Sequence, residues 1–292
     1  MTERFEFPFK ENYIEVDGIW LHYVDDGSGP PILMMHGQPT WSYLYRKMIP
    51  PLVAAGYRCV APDLMDFGLS DKPAKESDYN LRRHEGLITG LVEKLGLEAV
   101  TIVGQDWGRP ISLRYAIDHQ SNIKALAILN TLVTIMPMPL FFKIMFRSGG
   151  FSSFLSKRLD LFRKMSFGGK LLIKRPLDAR AKEQYLMPHK DVSTRSGIAA
   201  FPKMIPPNER HENAQYIKDI DDTLRLWDIP VLVMFSDKDM AFKVAEGQRI
   251  AAMVPNGRFH VIENAGHFLQ EDAGEDIADR MVTFLRDEAK VS

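Results

Sequence analysis

The chain reads as an α/β protein, a mostly parallel central sheet flanked by helices, with a helical cap inserted between two sheet-forming parts. Three observations predict it. Short apolar, β-branched runs alternate with helical patterns through the first 130 residues. From about Thr131 to Asn213 no clear strand appears, and strand signals then resume. Between the two, Gly104-Gln105-Asp106-Trp107-Gly108 makes a tight bend from a strand into a helix. These place a core at residues 1–130 and 214–292 and a cap at 131–213, over the carboxyl ends of the strands where open α/β sheets bind ligands.

The elements follow in order. Ile19–Val24 reads as a strand, and Asp25-Asp26-Gly27-Ser28-Gly29 as its turn. Pro31–Met35 is a buried strand ending at His36-Gly37, and a helix is expected from Tyr43 to Val53, stopped by Gly56. Tyr57–Ala61 returns as a strand, and Leu81–Leu95 repeats apolar residues at helical intervals up to Gly96. Ala99–Val103 is the strand before the bend, with Ile111, Leu113, Tyr115 and Ile117 in the helix after it. Ala125–Leu129, Pro230–Phe235 and Arg258–Ile262 complete the sheet, and Ile277–Ala289 closes the chain as an amphipathic helix.

Composition excludes several classes. The 292 residues are 45% apolar and 26% charged with a formal charge of -1, so no excess of either sign points to a nucleic acid. A lone cysteine, Cys59, rules out an intramolecular disulfide framework. The first residues lack a signal-peptide profile, and no apolar run is long enough to cross a bilayer, so a cytoplasmic protein free of the membrane is expected, as a monomer or small homo-oligomer. There is no Gly-x-Gly-x-x-Gly, P-loop, His-Glu-x-x-His or Cys-x-x-Cys pattern, so no cofactor and no metal is expected. In the insertion, Lys157, Arg158, Arg163, Lys164, Lys170, Lys174 and Arg175 read as a solvated face, because Asp160 and Asp178 interrupt the run. Met136–Pro139 and Phe141-Phe142 read as packing or as the lining of an apolar slot.

The chemistry centres on Asp106. Flanking glycines permit a strained turn that lifts the central side chain clear of the sheet, an arrangement that resembles the nucleophile elbow of α/β-hydrolases. An aspartate there is anionic without a base, and what it forms is an ester on its own side chain. Hydrolysis of that ester needs a histidine. Among eight, His267 in Asn264-Ala265-Gly266-His267-Phe268 combines a loop after the last strand with the chain order nucleophile, acid, histidine. An orienting carboxylate is expected from Ser236-Asp237-Lys238-Asp239, with Asp239 preferred and Asp237 read as a turn cap. Backbone N–H groups of Trp107 and Gln38 are the candidate donors to developing negative charge.

These residues resemble the haloalkane dehalogenases, specifically the subfamily whose triad acid follows the later core strand. The segment from His36-Gly37-Gln38-Pro39-Thr40-Trp41 to Pro50 carries most of the likeness, with Ala61-Pro62-Asp63, Phe67–Pro73, the elbow, Ala265–Phe268 and Phe201–Met204. The resemblance implies that Asp106 displaces halide from a small apolar halogenated substrate and that His267, oriented by Asp239, activates the water that frees the alcohol. It also implies that the Trp107 indole N–H holds the departing halide.

Two departures stand out. The subfamily supplies a second halide-binding tryptophan from the early cap, but the tryptophans here are Trp20, Trp41, Trp107 and Trp227, and Phe154 occupies the matching place. Gln38 stands where glutamate is usual, and its amide is expected to act as the replacement donor. Phe151, Phe154, Phe201 and Pro202 are expected to line the substrate pocket, and the direction of Arg109 is open. An epoxide hydrolase would use the same triad with proton-donating cap tyrosines, for which Tyr185 and Tyr216 are the candidates, Tyr185 reading more as framework. A non-catalytic ligand-binding protein would not need all of Asp106, Asp239 and His267.

Overall fold

Why the chain bends where it does is clearest along the sheet. A computed structural model describes residues 4–131 and 150–291. Its eight strands are β1 Asn12–Val16, β2 Ile19–Gly27, β3 Pro31–Met35, β4 Arg58–Pro62, β5 Val100–Gln105, β6 Ile123–Leu129, β7 Pro230–Ser236 and β8 Asn256–Ile262. They lie in the order β1-β2-β4-β3-β5-β6-β7-β8. The β1–β2 and β2–β4 pairs are antiparallel and the other five are parallel. Every residue of β5 is buried, as a parallel strand covered on both faces requires, and its near-continuous apolar run follows from that.

The flanking helices are α1 Ile49–Ala54, α2 Leu81–Lys94, α3 Gly108–Asp118, α4 Gly150–Lys157, α5 Leu161–Phe167, α6 Ala179–Leu186, α7 Ser196–Ala200, α8 Glu212–Leu224, α9 Val244–Met253 and α10 Leu269–Val291. Helix α3 packs on both α2 and α8, and α1 packs on α10. Between β6 and β7 the described residues hold helices and short 3-10 turns only, as expected. Residues 132–149, which carry the Met136–Pro139 and Phe141-Phe142 cluster, lie outside the described residues.

Four expectations need correction. The helix over Tyr43–Val53 is instead a 3-10 turn at Ser42–Tyr45 followed by α1, because Pro50 and Pro51 fit the first turn of a helix and cannot continue one. Strand β2 runs on to Gly27, absorbing most of the expected turn into its pairing with β4. The last helix begins at Leu269 rather than Ile277 and is interrupted at Ala273, where φ is -145°. The basic run in the insert is not all solvated. Arg163 is buried, grips Asp160 at 2.6 Å, and donates to the carbonyls of Leu186 and His189, so this pair is internal framework.

Candidate active site

The bend after β5 puts Asp106 at φ +50°, in the left-handed region that is uncommon for residues other than glycine. Its neighbours explain the two glycines. A Cβ on Gly104 would come within 2.8 Å of the Arg109 Cα, and one on Gly108 would run into the Met35 carbonyl of the adjacent strand. A Cβ on Gly37 would likewise collide with the Asp106 side chain, so the loop after β3 lies directly against the carboxylate. That closeness delivers the donors. The Gln38 N–H donates to Asp106 Oδ1 at 2.9 Å, and the Trp107 N–H is a second backbone donor to the same carboxylate. Burial raises the Asp106 pKa above the ordinary carboxylate value, against the pull of His267 and of these two N–H groups.

His267 stands beyond β8, on the loop that leads into α10. Its Nδ1 lies 2.9 Å from Asp239 Oδ2, and its Nε2 lies 3.8 Å from Asp106 Oδ2. Asp239 is buried and its other oxygen accepts the Ala241 N–H at 2.7 Å, so the carboxylate is fixed at both ends. Asp237 turns away and pairs with Lys238 at 2.8 Å. Burial opposes the imidazolium of His267, but the carboxylates of Asp239 and Asp106 outweigh it and raise the pKa above the usual histidine value.

Residues that pattern reading passed over bind these loops together. Asn130, just past β6, takes the Asp106 N–H on its carbonyl at 2.9 Å. Its side chain accepts the Ser236 N–H at 2.9 Å and donates to the Gly266 carbonyl at 3.1 Å. One residue thus links the ends of β5, β7 and β8, through its backbone carbonyl and its side-chain amide. Gln105 Nε2 sits 3.3 Å from His267 Nε2. The signal that could have found Asn130 is its place: a buried polar residue one position past the carboxyl end of a central strand.

The pocket-lining expectations divide. Phe201 is fully buried, edge-on to Trp107 with ring centroids 5.6 Å apart, and Pro202 beside it is buried too. Phe151 and Phe154 instead are 55% and 50% exposed on α4, which turns Ser152 and Ser156 inward. The Gln38 side chain is buried, and its Nε2 donates to the Ile198 carbonyl at 2.8 Å, which leaves one further N–H on that amide. Arg109 is resolved: it is fully buried and pairs with Asp221 of α8 at 2.6 Å. Tyr185 donates to Glu271 at 2.6 Å and Tyr216 to Glu85 at 3.3 Å, so both phenols are tied to carboxylates. Burial and those carboxylates raise both phenol pKa values. His36 is neutral framework, its Nε2 accepting the Leu64 N–H at 2.9 Å. No group of His, Cys, Asp or Glu among the described residues could hold a metal ion.

Sheet order, elbow and triad geometry together define an α/β hydrolase, and residues 30–274 match the family model of the alpha/beta hydrolase fold. The chain is 34% identical to a haloalkane dehalogenase of Mycobacterium marinum, over 95% of this chain and 94% of that protein. It is 37% identical to haloalkane dehalogenase 1 of Mycobacterium tuberculosis, over 95% and 93%. The solved haloalkane dehalogenase DatA from Agrobacterium tumefaciens matches with a TM-score of 0.87 and 25% identity, over 96% of this chain and 97% of that one. DbeA from Bradyrhizobium elkani, at 22% identity, shares the fold with a TM-score of 0.90 over 97% and 100%. The chain belongs to the haloalkane dehalogenase family.

Proposed function

We propose that this protein hydrolyses the carbon–halogen bond of small haloalkanes, giving an alcohol and halide, with Asp106 as nucleophile, His267 as base and Asp239 as the acid that orients it. The observation that carries the reading is the disposition of the Asp106 carboxylate. Oδ1 is pinned by the Gln38 N–H, while Oδ2 faces His267 from 3.8 Å. Oδ2 attacks carbon, the carbon–halogen bond breaks, and halide departs toward the Trp107 indole N–H, a donor suited to an anion in a dry pocket. The distance from Nε2 is too long for a direct hydrogen bond but suits a water aimed at the Asp106 carboxyl carbon. His267 takes a proton from that water, and the charge that develops on Oδ1 meets the Gln38 and Trp107 N–H groups. Collapse of the tetrahedral adduct releases the alkoxide, which recovers the proton from His267 as alcohol.

In this reading residues 131–213 form the cap, and residues 1–130 and 214–292 the core. Phe201 and Pro202 supply the apolar wall, and Gln38 contributes its backbone N–H to Asp106 while its side-chain amide binds Ile198 through one N–H and keeps the other to donate to the halide. Cys59 is buried and free, in keeping with a cytoplasmic enzyme. No described helix is long and apolar enough to cross a membrane. Opening an epoxide would call for a phenol free to protonate oxygen, and Tyr185 and Tyr216 both donate to carboxylates.

The test is to incubate the His267→Phe variant with 1,2-dibromoethane or 1-bromobutane and read the intact mass. We expect an alkyl adduct that peptide mapping places on Asp106. A folded variant that stays unmodified by either bromoalkane would sink the assignment.

A further inference from the structure

Another of the four aspartates with a positive φ among the described residues sits between core and cap. Asp66, in the loop after β4, holds φ +85° and is fully buried. Glycine would take this conformation without steric cost, so the aspartate side chain needs its own explanation. Every contact it makes points to the insert or braces the loop. The Ile198 N–H donates to Oδ2 at 3.1 Å, and the Gly197 N–H is aimed at the same carboxylate. The Tyr79 hydroxyl donates to Oδ1 at 2.8 Å. His189 Nε2, a buried ring nitrogen without a hydrogen-bond partner among the described residues, lies 3.9 Å from Oδ2. Gly197 has to be glycine for this: a Cβ there would run into the Asp66 carboxyl group.

The same two residues of the insert lead to the reacting atoms. Ile198 gives its N–H to Asp66 and its carbonyl to Gln38 Nε2, and the Gln38 N–H holds Asp106 Oδ1. Three residues further on, Phe201 is wedged edge-on between Phe67, the neighbour of Asp66, and Trp107. We propose that Asp66 is a positioning residue that clasps the Gly197-Ile198 backbone to the core, and thereby sets the Gln38 side chain and Phe201 over the halide side of the pocket. Burial lifts the Asp66 pKa to about 6, against the Gly197 and Ile198 N–H groups, Tyr79 and the nearby Lys72. The protein retains a carboxylate that is costly to ionise, which fits a role in placement rather than in stability.

The inference rests on the dehalogenase reading, and its test separates the two. Bromide affinity is measured by quenching of tryptophan fluorescence, and ester hydrolysis by single turnover with 1-bromobutane, for wild type, Asp66→Ala, Asp66→Asn, Gln38→Ala and the Asp66→Ala/Gln38→Ala double variant. Losing a clasp of charge-assisted hydrogen bonds should weaken bromide binding about tenfold in Asp66→Ala, with ester hydrolysis within about twofold of wild type. Loss of fold alone would lower the active fraction and leave the bromide constant where it was. Asparagine keeps an acceptor for the two N–H groups, so Asp66→Asn should recover most of the affinity. Because both residues act through Ile198, the double variant should be no weaker than the worse single one. Hydrogen exchange should lose protection within residues 196–204 in Asp66→Ala, a readout that needs no activity. Should Asp66→Ala not fold, Gly197→Ala drives the same clasp apart and carries the same expectation. Additive losses, or an Asp66→Ala enzyme with unchanged bromide affinity and unchanged exchange, would overturn the proposal. Wild type that neither binds bromide nor forms the ester would overturn the dehalogenase reading instead, leaving the exchange result to judge the clasp.

Discussion

The two sides of the site are held by different means. On the core side, Asp106, Asp239 and His267 stand at the carboxyl ends of β5, β7 and β8; neighbouring backbone fixes the two carboxylates, and Asp239 holds the His267 ring. Asp106 takes the Gln38 N–H, Asp239 takes the Ala241 N–H, and Asn130 straps the three loops together. On the cap side, Ile198 and Tyr185 are held by carboxylates that the core sends up, Asp66 and Glu271, and Phe201 is wedged between Phe67 and Trp107. The difference teaches where damage should appear. Lesions in the core side should cost chemistry, and lesions in the cap side should cost binding.

Within the cap side, the two clasps contrast sharply. Glu271 receives Arg46 at 2.6 Å, Lys47 at 2.8 Å and the Tyr185 hydroxyl at 2.6 Å. Burial opposes its charge, but Arg46 and Lys47 prevail and lower its pKa to about 2. Asp66 meets N–H and O–H donors, with Lys72 nearby, and burial outweighs them all, so its pKa rises to about 6. Two buried carboxylates do the same mechanical job with opposite electrostatics, because Arg46 and Lys47 touch Glu271 while neutral N–H and O–H donors meet Asp66.

The largest effect that could break this division is at Asp239, the acid of the proposed triad. Asp239→Asn should leave Asp106 able to alkylate but misorient His267, slowing ester hydrolysis by roughly 10³–10⁴-fold; rapid-quench mass spectrometry should show the ester accumulating. A comparable drop in bromide affinity would erase the distinction between the two sides. Next comes Trp107→Phe, which keeps the ring against Phe201 but removes the indole N–H. A lost charge-assisted hydrogen bond of ~1.5–3 kcal/mol corresponds to roughly 10–150-fold weaker halide stabilisation, read in the alkylation rate and the bromide constant.

The smallest effects sharpen the contrast between the clasps, and they have opposite signs. Glu271 has a depressed pKa, so its contribution is present above the ordinary value of 4.5 and lost as pH falls toward about 2. That shift corresponds to about 3 kcal/mol at neutral pH, and Glu271→Gln should lower the midpoint of urea unfolding at pH 7. Asp66 has a raised pKa, so its ionisation costs stability that is intact below the ordinary 3.8 and is given up as pH rises through about 6. Asp66→Asn should therefore unfold at higher urea than wild type at pH 8, by up to about 3 kcal/mol, and show little advantage at pH 4. Parallel shifts in the two variants would refute the electrostatic difference.

Much of the site was legible because local patterns force it. A strand followed by Gly-x-Asp-x-Gly and a helix admits one backbone path, and a histidine one loop past the last strand must come to the same edge of the sheet. Asp239 over Asp237 also followed from position: the residue farther past the strand reaches inward to His267, while the nearer one pairs with Lys238 and takes the Asn264 and Ala265 N–H groups of the neighbouring loop instead of capping its own turn. Elsewhere local pattern misled. The apolar run over Tyr43–Val53 has helical spacing, yet Pro50 and Pro51 confine the helix to Ile49–Ala54. Phe151 and Phe154 look like pocket lining, yet α4 presents them outward.

What the amino-acid order determined by itself is therefore the strand–helix alternation and the strained bend at Asp106, since each depends on neighbours a few residues apart, together with the chain order of Asp106, Asp239 and His267. What only tertiary structure decided is the fate of Gln38, Arg109 and Asp66. Their partners, Ile198, Asp221 and the Gly197-Ile198 backbone, lie between 112 and 160 residues away in the chain. No local periodicity records such a pairing. It exists because a buried polar group must find a partner, and which partner is near enough is known only once the cap has closed on the core.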